Sequence, residues 1–218
     1  MKNIHLIWDL DGTLINSEEE VLEALIKSVK DAGLTEKDQI APFRVGPTID
    51  KILDATFPKE KLTPEIKAQI IKNFRSNYDN CGFNKTPAFE GIEAILRDER
   101  FVHHIVTNKP DLATGRIIEK LGWNDCFADV ITPYSFMKGP NDSKKNKTEL
   151  FAIIKAKYAD SVFLGIGDME TDAVAAKNND MVAIGVLWGT GTREELLIAD
   201  YTCLTRNELR LILGGYCG

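Results

Sequence analysis

Apolar residues follow two different rhythms along the chain. Ile4-His5-Leu6-Ile7-Trp8 is a short run of strand formers that stops at Asp9-Leu10-Asp11-Gly12, where glycine permits a turn. From Ser17 the spacing becomes helical. Val21, Leu22, Leu25, Ile26 and Val29 share a helix face, and Ser17 with Glu20 fits a capping box. Thr63-Pro64 signals a further helix start, and Ile66, Ile70, Phe74 and Tyr78 form its apolar stripe. Shorter helical pieces are expected near Thr48 to Thr56, between Pro47 and Pro58. Residues 17 to about 84 therefore read as all-helical.

After Pro87 the two rhythms alternate. The pattern predicts a helix over 91–98 and a buried strand over 101–106 that ends at Thr107-Asn108. It then predicts a helix over 112–121 closed by Gly122, a short strand over 129–132 and an amphipathic helix over 148–158. A strand over 161–166 ends at Gly167-Asp168 and is followed by a helix over 171–178. A strand over 181–186, a helix over 192–199, a short strand over 201–204 and a helix over 206–213 complete the chain. Strands alternating with helices imply an α/β fold, a parallel sheet with helices on both faces. The helical block interrupts that pattern after the first strand. It reads as an inserted helical domain, 17–84, within a core domain of 1–16 and 85–218.

A length of 218 residues suffices for one domain carrying a smaller inserted one. The net charge of −6 argues against a nucleic-acid partner, because an acidic surface repels phosphate backbones. No apolar run reaches the ~18 residues of a membrane span. Asp9 and Asp11 break the N-terminal apolar run, which excludes a signal peptide. Cys81, Cys126, Cys203 and Cys217 form no CxxC pair and read as reduced thiols of a cytoplasmic protein.

In an open parallel sheet, ligands bind beyond the carboxyl ends of the strands. Three predicted strands end there in polar residues: Asp9 and Asp11, Thr107 and Asn108, and Asp168 with Asp172 one turn further on. Such acids repel one another unless something neutralises them. A hard divalent cation with oxygen ligands does so, and Mg2+ is the natural choice where the substrate is a phosphate. Asp11 lies two residues beyond Asp9, which in an extended chain sends it to the opposite side, so it depends on the turn at Gly12 to face a substrate.

WDLDGTL, Thr107-Asn108, a downstream lysine and GDMETD resemble the four motifs of the haloacid dehalogenase-like (HAD) hydrolase superfamily. Nearly the whole chain shares the likeness. VLWGTGTREELLIADYTCLTRNEL, the segment around Arg44-Val45-Gly46 and TPAFEGIEAIL are similar to phosphoglycolate-phosphatase-like members, although Phe-Glu-Gly at 89–91 departs slightly, since Pro is more usual before that Gly. The resemblance implies a Rossmann-like core with a small helical cap. It also implies a Mg2+-dependent phosphatase acting on a small phosphorylated metabolite, as a monomer or homodimer. Asp9 would be the nucleophile and Asp11 the acid–base residue. Asp9, the Asp11 backbone carbonyl and Asp168 would hold the metal, with Asp172 in support, while Thr107 and the Asn108 N–H would bind phosphoryl oxygens. The lysine is Lys147, at the start of the helix near Thr148, or its rival Lys138, with Lys144 and Lys145 as further alternatives. Arg44 is the candidate contact for an anionic group of the substrate.

A phosphosugar mutase like β-phosphoglucomutase would use the same aspartate pair, and Thr13 leans away from it. A phospho-receiver module shares paired acids and a lysine but is smaller and lacks the helical insertion. Three further expectations concern local residues. Lys109 reads as part of an exposed turn rather than a residue approaching the substrate, Gly189-Thr190-Gly191-Thr192 as a flexible turn rather than a phosphate cradle, and His103, His104 and Trp8 as packing residues.

Overall fold

The computed structural model describes residues 3–139 and 143–217. Met1, Lys2, Pro140, Asn141, Asp142 and Gly218 lie outside the described residues. The chain divides into two compact units, one from Met1–Asn16 and Ala88–Gly218, the other from Ser17–Pro87.

The first unit is built on six strands: β1 (Ile4–Trp8), β2 (Phe101–Val106), β3 (Asp129–Ile131), β4 (Val162–Gly167), β5 (Val182–Val186) and β6 (Tyr201–Cys203). They form one sheet in the order β3-β2-β1-β4-β5-β6, and every neighbouring pair is parallel. The chain steps from β1 outwards to β3 and then returns to the far side of β1 for β4. The strand order therefore reverses between β1 and β4, the position at which open α/β sheets bind ligands. All five residues of β1 are buried, as expected for a strand covered on both faces.

The same unit contains α4 (Ile92–Leu96), α5 (Asp111–Lys120), α6 (Lys147–Lys157), α7 (Glu170–Lys177) and α8 (Arg206–Gly214). On one sheet face, Ile7, Val106, Phe163 and Ala183 join Leu150, Phe151 and Ile154 of α6 and Ala173, Ala175 and Ala176 of α7 in a single core. The alanines bring α7 close to the sheet. A Cβ on Gly165 would lie 2.7 Å from Phe151 Cε2 and 2.8 Å from Ala176 Cβ, so β4 also gives way there. This close approach carries the first turn of α7, with Asp172, to the carboxyl end of β4.

The predicted helix over 192–199 is a correction. Only a 3₁₀ turn, Glu195–Ile198, forms. Thr192 and Glu195 cap each other, with the Thr192 N–H on Glu195 Oε2 at 2.9 Å and the Glu195 N–H on Thr192 Oγ1 at 3.3 Å. Asp200 then draws the chain into β6. Its N–H donates to the Ala183 carbonyl at 2.9 Å, and its carboxylate accepts from the Ala183 N–H at 2.8 Å. Tertiary bonds override the local helical pattern.

The second unit contains α1 (Glu18–Asp31), a 3₁₀ turn at Glu36–Asp38, α2 (Ile49–Thr56) and α3 (Pro64–Tyr78). Ile70, Phe74 and Tyr78 of the α3 stripe are buried, whereas Ile66 is only half-buried. Thr63 caps α3 by accepting from the Ile66 N–H at 3.4 Å. The expected capping box of α1 is a second correction. Ser17 makes no side-chain cap bond to the helix. Glu20 instead accepts from Thr86 Oγ1 at 2.5 Å and from the Lys85 N–H at 3.2 Å. Those bonds tie residues 85 and 86 to α1, and the unit runs on to Pro87. Among the described residues, no helix is long and apolar enough to cross a membrane.

The three histidines are buried. His104 Nδ1 lies 3.1 Å from Asp129 Oδ2, and His104 Nε2 lies 2.8 Å from His5 Nδ1. The carboxylate must accept, which puts the proton of His104 on Nδ1 and makes its Nε2 the acceptor from His5. Tyr158 OH also donates to Asp129, at 2.7 Å. On the opposite face, the Trp8 Nε1–H donates to His103 Nδ1 at 3.1 Å. Burial drives the His103 and His104 pKa values down to about 4. A histidine whose folded pKa lies below its unfolded one stabilises the protein above the unfolded value, and that stability is lost as pH falls towards the folded value. Hence His103→Gln, which can still accept from Trp8, is expected to flatten the loss of stability between pH 7 and pH 5 by about 2 kcal/mol. Urea denaturation at several pH values checks this, and parallel curves for variant and wild type would refute it.

Candidate active site

Asp9 follows β1 directly, and its N–H donates to the Ile166 carbonyl of β4 at 2.9 Å. The residue is therefore fixed at the strand reversal. Lys147 is the first residue of α6. It is set there by a capping box in which Asn146 Oδ1 accepts from the Glu149 N–H at 3.0 Å and Glu149 Oε2 accepts from the Asn146 N–H at 2.8 Å. Its ammonium lies 2.8 Å from Asp9 Oδ1 and also pairs with Asp172 Oδ1. The other oxygen of Asp172 accepts from the Met169 N–H at 3.1 Å, a bond that fixes the first turn of α7.

Asp168, at the end of β4, is fully buried. Its Oδ2 accepts from the Thr190 N–H at 2.8 Å and from Thr190 Oγ1 at 3.2 Å, and its Oδ1 accepts from Thr13 Oγ1 at 3.4 Å. Trp188 Nε1 in turn donates to the Thr13 carbonyl at 3.1 Å. The Gly189–Thr192 segment is thus a brace for Asp168 rather than a merely flexible turn, which corrects the sequence expectation. Glycine is required for the approach. A Cβ on Gly191 would overlap the Asp168 carbonyl oxygen, and a Cβ on Gly12, whose φ is +78°, would overlap the Asp168 carboxylate.

One carboxylate oxygen each from Asp9, Asp168 and Asp172 lies within 4.8 Å of the others. Burial, helped by Asp172 and opposed by Lys147, lifts the Asp9 pKa to about 7. Burial and then the Asp9 charge lift Asp168 to about 6, and burial raises Asp172 as well. Burial works against the Lys147 ammonium, but Asp172 and Asp9 outweigh it and hold its pKa above the ordinary lysine range. Three carboxylates against one ammonium leave two negative charges uncompensated. One divalent cation could balance that charge, and an all-oxygen donor set suits a hard ion such as Mg2+.

The Asp11 carboxylate is not one of the three grouped acids and pairs with Lys109, with Lys109 Nζ 3.0 Å from Asp11 Oδ1. Lys109 is a further correction, because its side chain is only 5% exposed and not part of an open turn. The cue available in sequence was its place directly after a strand end that already carried Thr107 and Asn108. Thr107 is buried, and its Oγ1 accepts from the Lys109 N–H at 3.2 Å, while Asn108 is half-buried in the same loop. Of the two rival lysines, Lys147 is buried among the acids and Lys138 is exposed. Arg44 belongs to the helical unit, half-buried in the segment before α2.

The fold and the sequence have close parallels among known proteins. The chain is 26% identical over 211 residues to the phosphoglycolate phosphatase of Vibrio cholerae, with 92% of each chain covered. A predicted phosphatase from Clostridium acetobutylicum superimposes with a TM-score of 0.77 at 25% identity, over 98% of this chain and all of that one. A haloacid dehalogenase-like family hydrolase from Streptococcus pneumoniae gives a TM-score of 0.78 at 19% identity over 96% of this chain and 97% of that one, a likeness of fold. The family model of haloacid dehalogenase-like hydrolases matches residues 6–186. With that span covering most of the chain, the protein belongs to the haloacid dehalogenase-like hydrolase family.

Proposed function

We propose that this chain is a Mg2+-dependent phosphatase that hydrolyses a small phosphorylated metabolite through an aspartyl-phosphate on Asp9. Its family and its curated relatives make it a phosphoric monoester hydrolase. Phosphoglycolate is the first substrate to test, since several of those relatives carry that name. The observation that carries the reading is Lys147, a buried ammonium shared by Asp9 and Asp172 beside the Asp168 carboxylate.

Asp9, Asp168 and the backbone carbonyl of Asp11 would hold the ion, with Asp172 supporting them. When bound, it would supply positive charge opposite the phosphoryl oxygens. Lys147 orients Asp9 and lowers the charge that the phosphate must approach. The Asp9 carboxylate attacks phosphorus, and the ester P–O bond breaks. Asp11 gives its proton to the departing oxygen. Asp11 then takes a proton from water, whose oxygen attacks phosphorus. The Asp9–phosphorus bond breaks, leaving inorganic phosphate and a free carboxylate. Thr107 Oγ1 and the Asn108 N–H are the proposed donors to the phosphoryl oxygens. We read the helical unit as the cap that selects the substrate, with Arg44 as its contact for an anionic group.

Turnover of p-nitrophenyl phosphate with Mg2+ is expected to fall to background in Asp9→Asn and by about 10²–10⁴-fold in Asp11→Asn. Steady-state kinetics with intact-mass detection of the phosphorylated protein checks this. Full activity in Asp9→Asn, or an unchanged kcat in Asp11→Asn, would end the assignment.

A second expectation concerns metal and pH. Asp9 and Asp168 have raised folded pKa values, so in metal-free protein their contribution to stability is present at low pH and is lost as pH rises through about 6 to 7. Mg2+ uses the ionised forms, so its affinity rises over the same interval. At about 100 times its Kd, Mg2+ should raise Tm by ~5–10 °C at pH 8. The shift at pH 5.5 should be clearly smaller. Thermal melts with and without EDTA measure this, and equal shifts at both pH values would count against these carboxylates as ligands.

A further inference from the structure

Asp11 poses a geometric problem that its backbone does not solve. The turn at Gly12, with φ of +78°, and the bridge between Asp11 and Ile15 redirect the chain after β1. Neither fixes the rotamer of the Asp11 side chain, which has two torsions of its own. We propose that Lys109 is the positioning residue for Asp11, holding its carboxylate in the orientation from which it serves the reaction at Asp9. This deepens the reading above and rests on Asp11 being the proton donor.

Three observations carry it. The Lys109 ammonium lies 3.0 Å from Asp11 Oδ1, with the lysine side chain 5% and the aspartate side chain 13% exposed. The backbone that carries the ammonium is anchored on both sides, because the Lys109 N–H donates to Thr107 Oγ1 at 3.2 Å and its carbonyl accepts from Thr114 Oγ1 of α5 at 3.3 Å. Lys109 therefore reaches from the loop after β2 to the loop after β1, its neighbour in the sheet. Stability alone is a weak reason for such a pair, since the desolvation of two charges offsets much of their attraction. The site also divides its lysines: Lys147 takes Asp9 and Asp172, and Lys109 takes Asp11. An ammonium spent on Asp11 acts on the reaction through Asp11.

The test compares wild type, Asp11→Asn, Lys109→Met and the double variant, with Mg2+, on phenyl phosphate and p-nitrophenyl phosphate. The two esters have nearly the same shape, but phenolate is the more basic leaving group and needs proton delivery more. For phenyl phosphate, Asp11→Asn and Lys109→Met should each lose at least about tenfold more kcat/KM than for the nitrophenyl ester. In Lys109→Met the loss should sit in kcat, with KM moving less than about threefold. Lys109→Arg should recover part of it. Adding Lys109→Met to Asp11→Asn should cost no more than about threefold further.

Equal losses on both esters with a raised KM would make Lys109 a phosphate-binding cation and overturn the proposal. So would unchanged kinetics, or fully additive losses in the double variant. An unbiased Asp11→Asn would remove the proton-donor assignment and this proposal with it, whereas a biased Asp11→Asn beside an unbiased Lys109→Met would remove the positioning role alone. If circular dichroism shows that Lys109→Met does not fold, Lys109→Gln is judged by the same criteria.

Discussion

One buried ammonium shared between two carboxylates is the constraint around which this site is arranged. Lys147 can reach Asp9 and Asp172 together only because α6 begins at that residue and α7 begins immediately beyond β4. The start of α6 is fixed by the reciprocal bonds of Asn146 and Glu149. The position of α7 depends on small residues, with Gly165 on the sheet and Ala176 on the helix letting them meet closely. Packing on one sheet face thereby sets the distances between charged groups at the strand ends. A larger residue at either position would shift a charge as well as a helix.

Those charges are stable only conditionally. Isolated carboxylates this deeply buried would become protonated, and the raised pKa values of Asp9, Asp168 and Asp172 express that tendency. Asp168 is restrained further by Thr190 and Thr13, whose hydrogen bonds occupy its oxygens and fix its direction. The buried histidines show the alternative outcome. His104, between His5 and Asp129, and His103, accepting from Trp8, are held neutral, so they specify packing instead of storing charge. The sheet thus keeps neutral polar groups within its layers and unbalanced charge at its carboxyl edge.

How much of this was legible in the sequence depended on the range of the interactions involved. The period of apolar residues marked all six strands, most plainly β1, which is buried along its whole length, and least plainly the short, partly exposed edge strands β3 and β6. The strand-end positions of Asp9, Thr107 and Asp168 followed from the same pattern, and Lys147 from a helix start. The predicted helix over 192–199 failed because Asp200 bonds to Ala183 on a neighbouring strand, which no local pattern records. The α1 capping box failed for the same reason, since Thr86 and Lys85 claim Glu20 from across the helical unit. Gly189-Thr190-Gly191 carried a glycine signal that was read as freedom. It meant close approach to Asp168, and those two meanings look alike in one dimension.

Lys109 shows the same limit most directly. A lysine after a strand end is ordinarily solvated, and only its place directly after Thr107 and Asn108 hinted otherwise. Its partner, Asp11, lies on another strand's loop, and only the adjacency of β1 and β2 brings the two together. Once they are paired, the site's charges separate into two groups. Asp11 and Lys109 balance each other, while Asp9, Asp168 and Asp172 keep two negative charges more than Lys147 cancels. A phosphate dianion approaching the second group is repelled until positive charge is supplied there. The ionised acids at the strand ends could therefore accept a divalent cation, while Lys109 offsets the charge of Asp11 beside them.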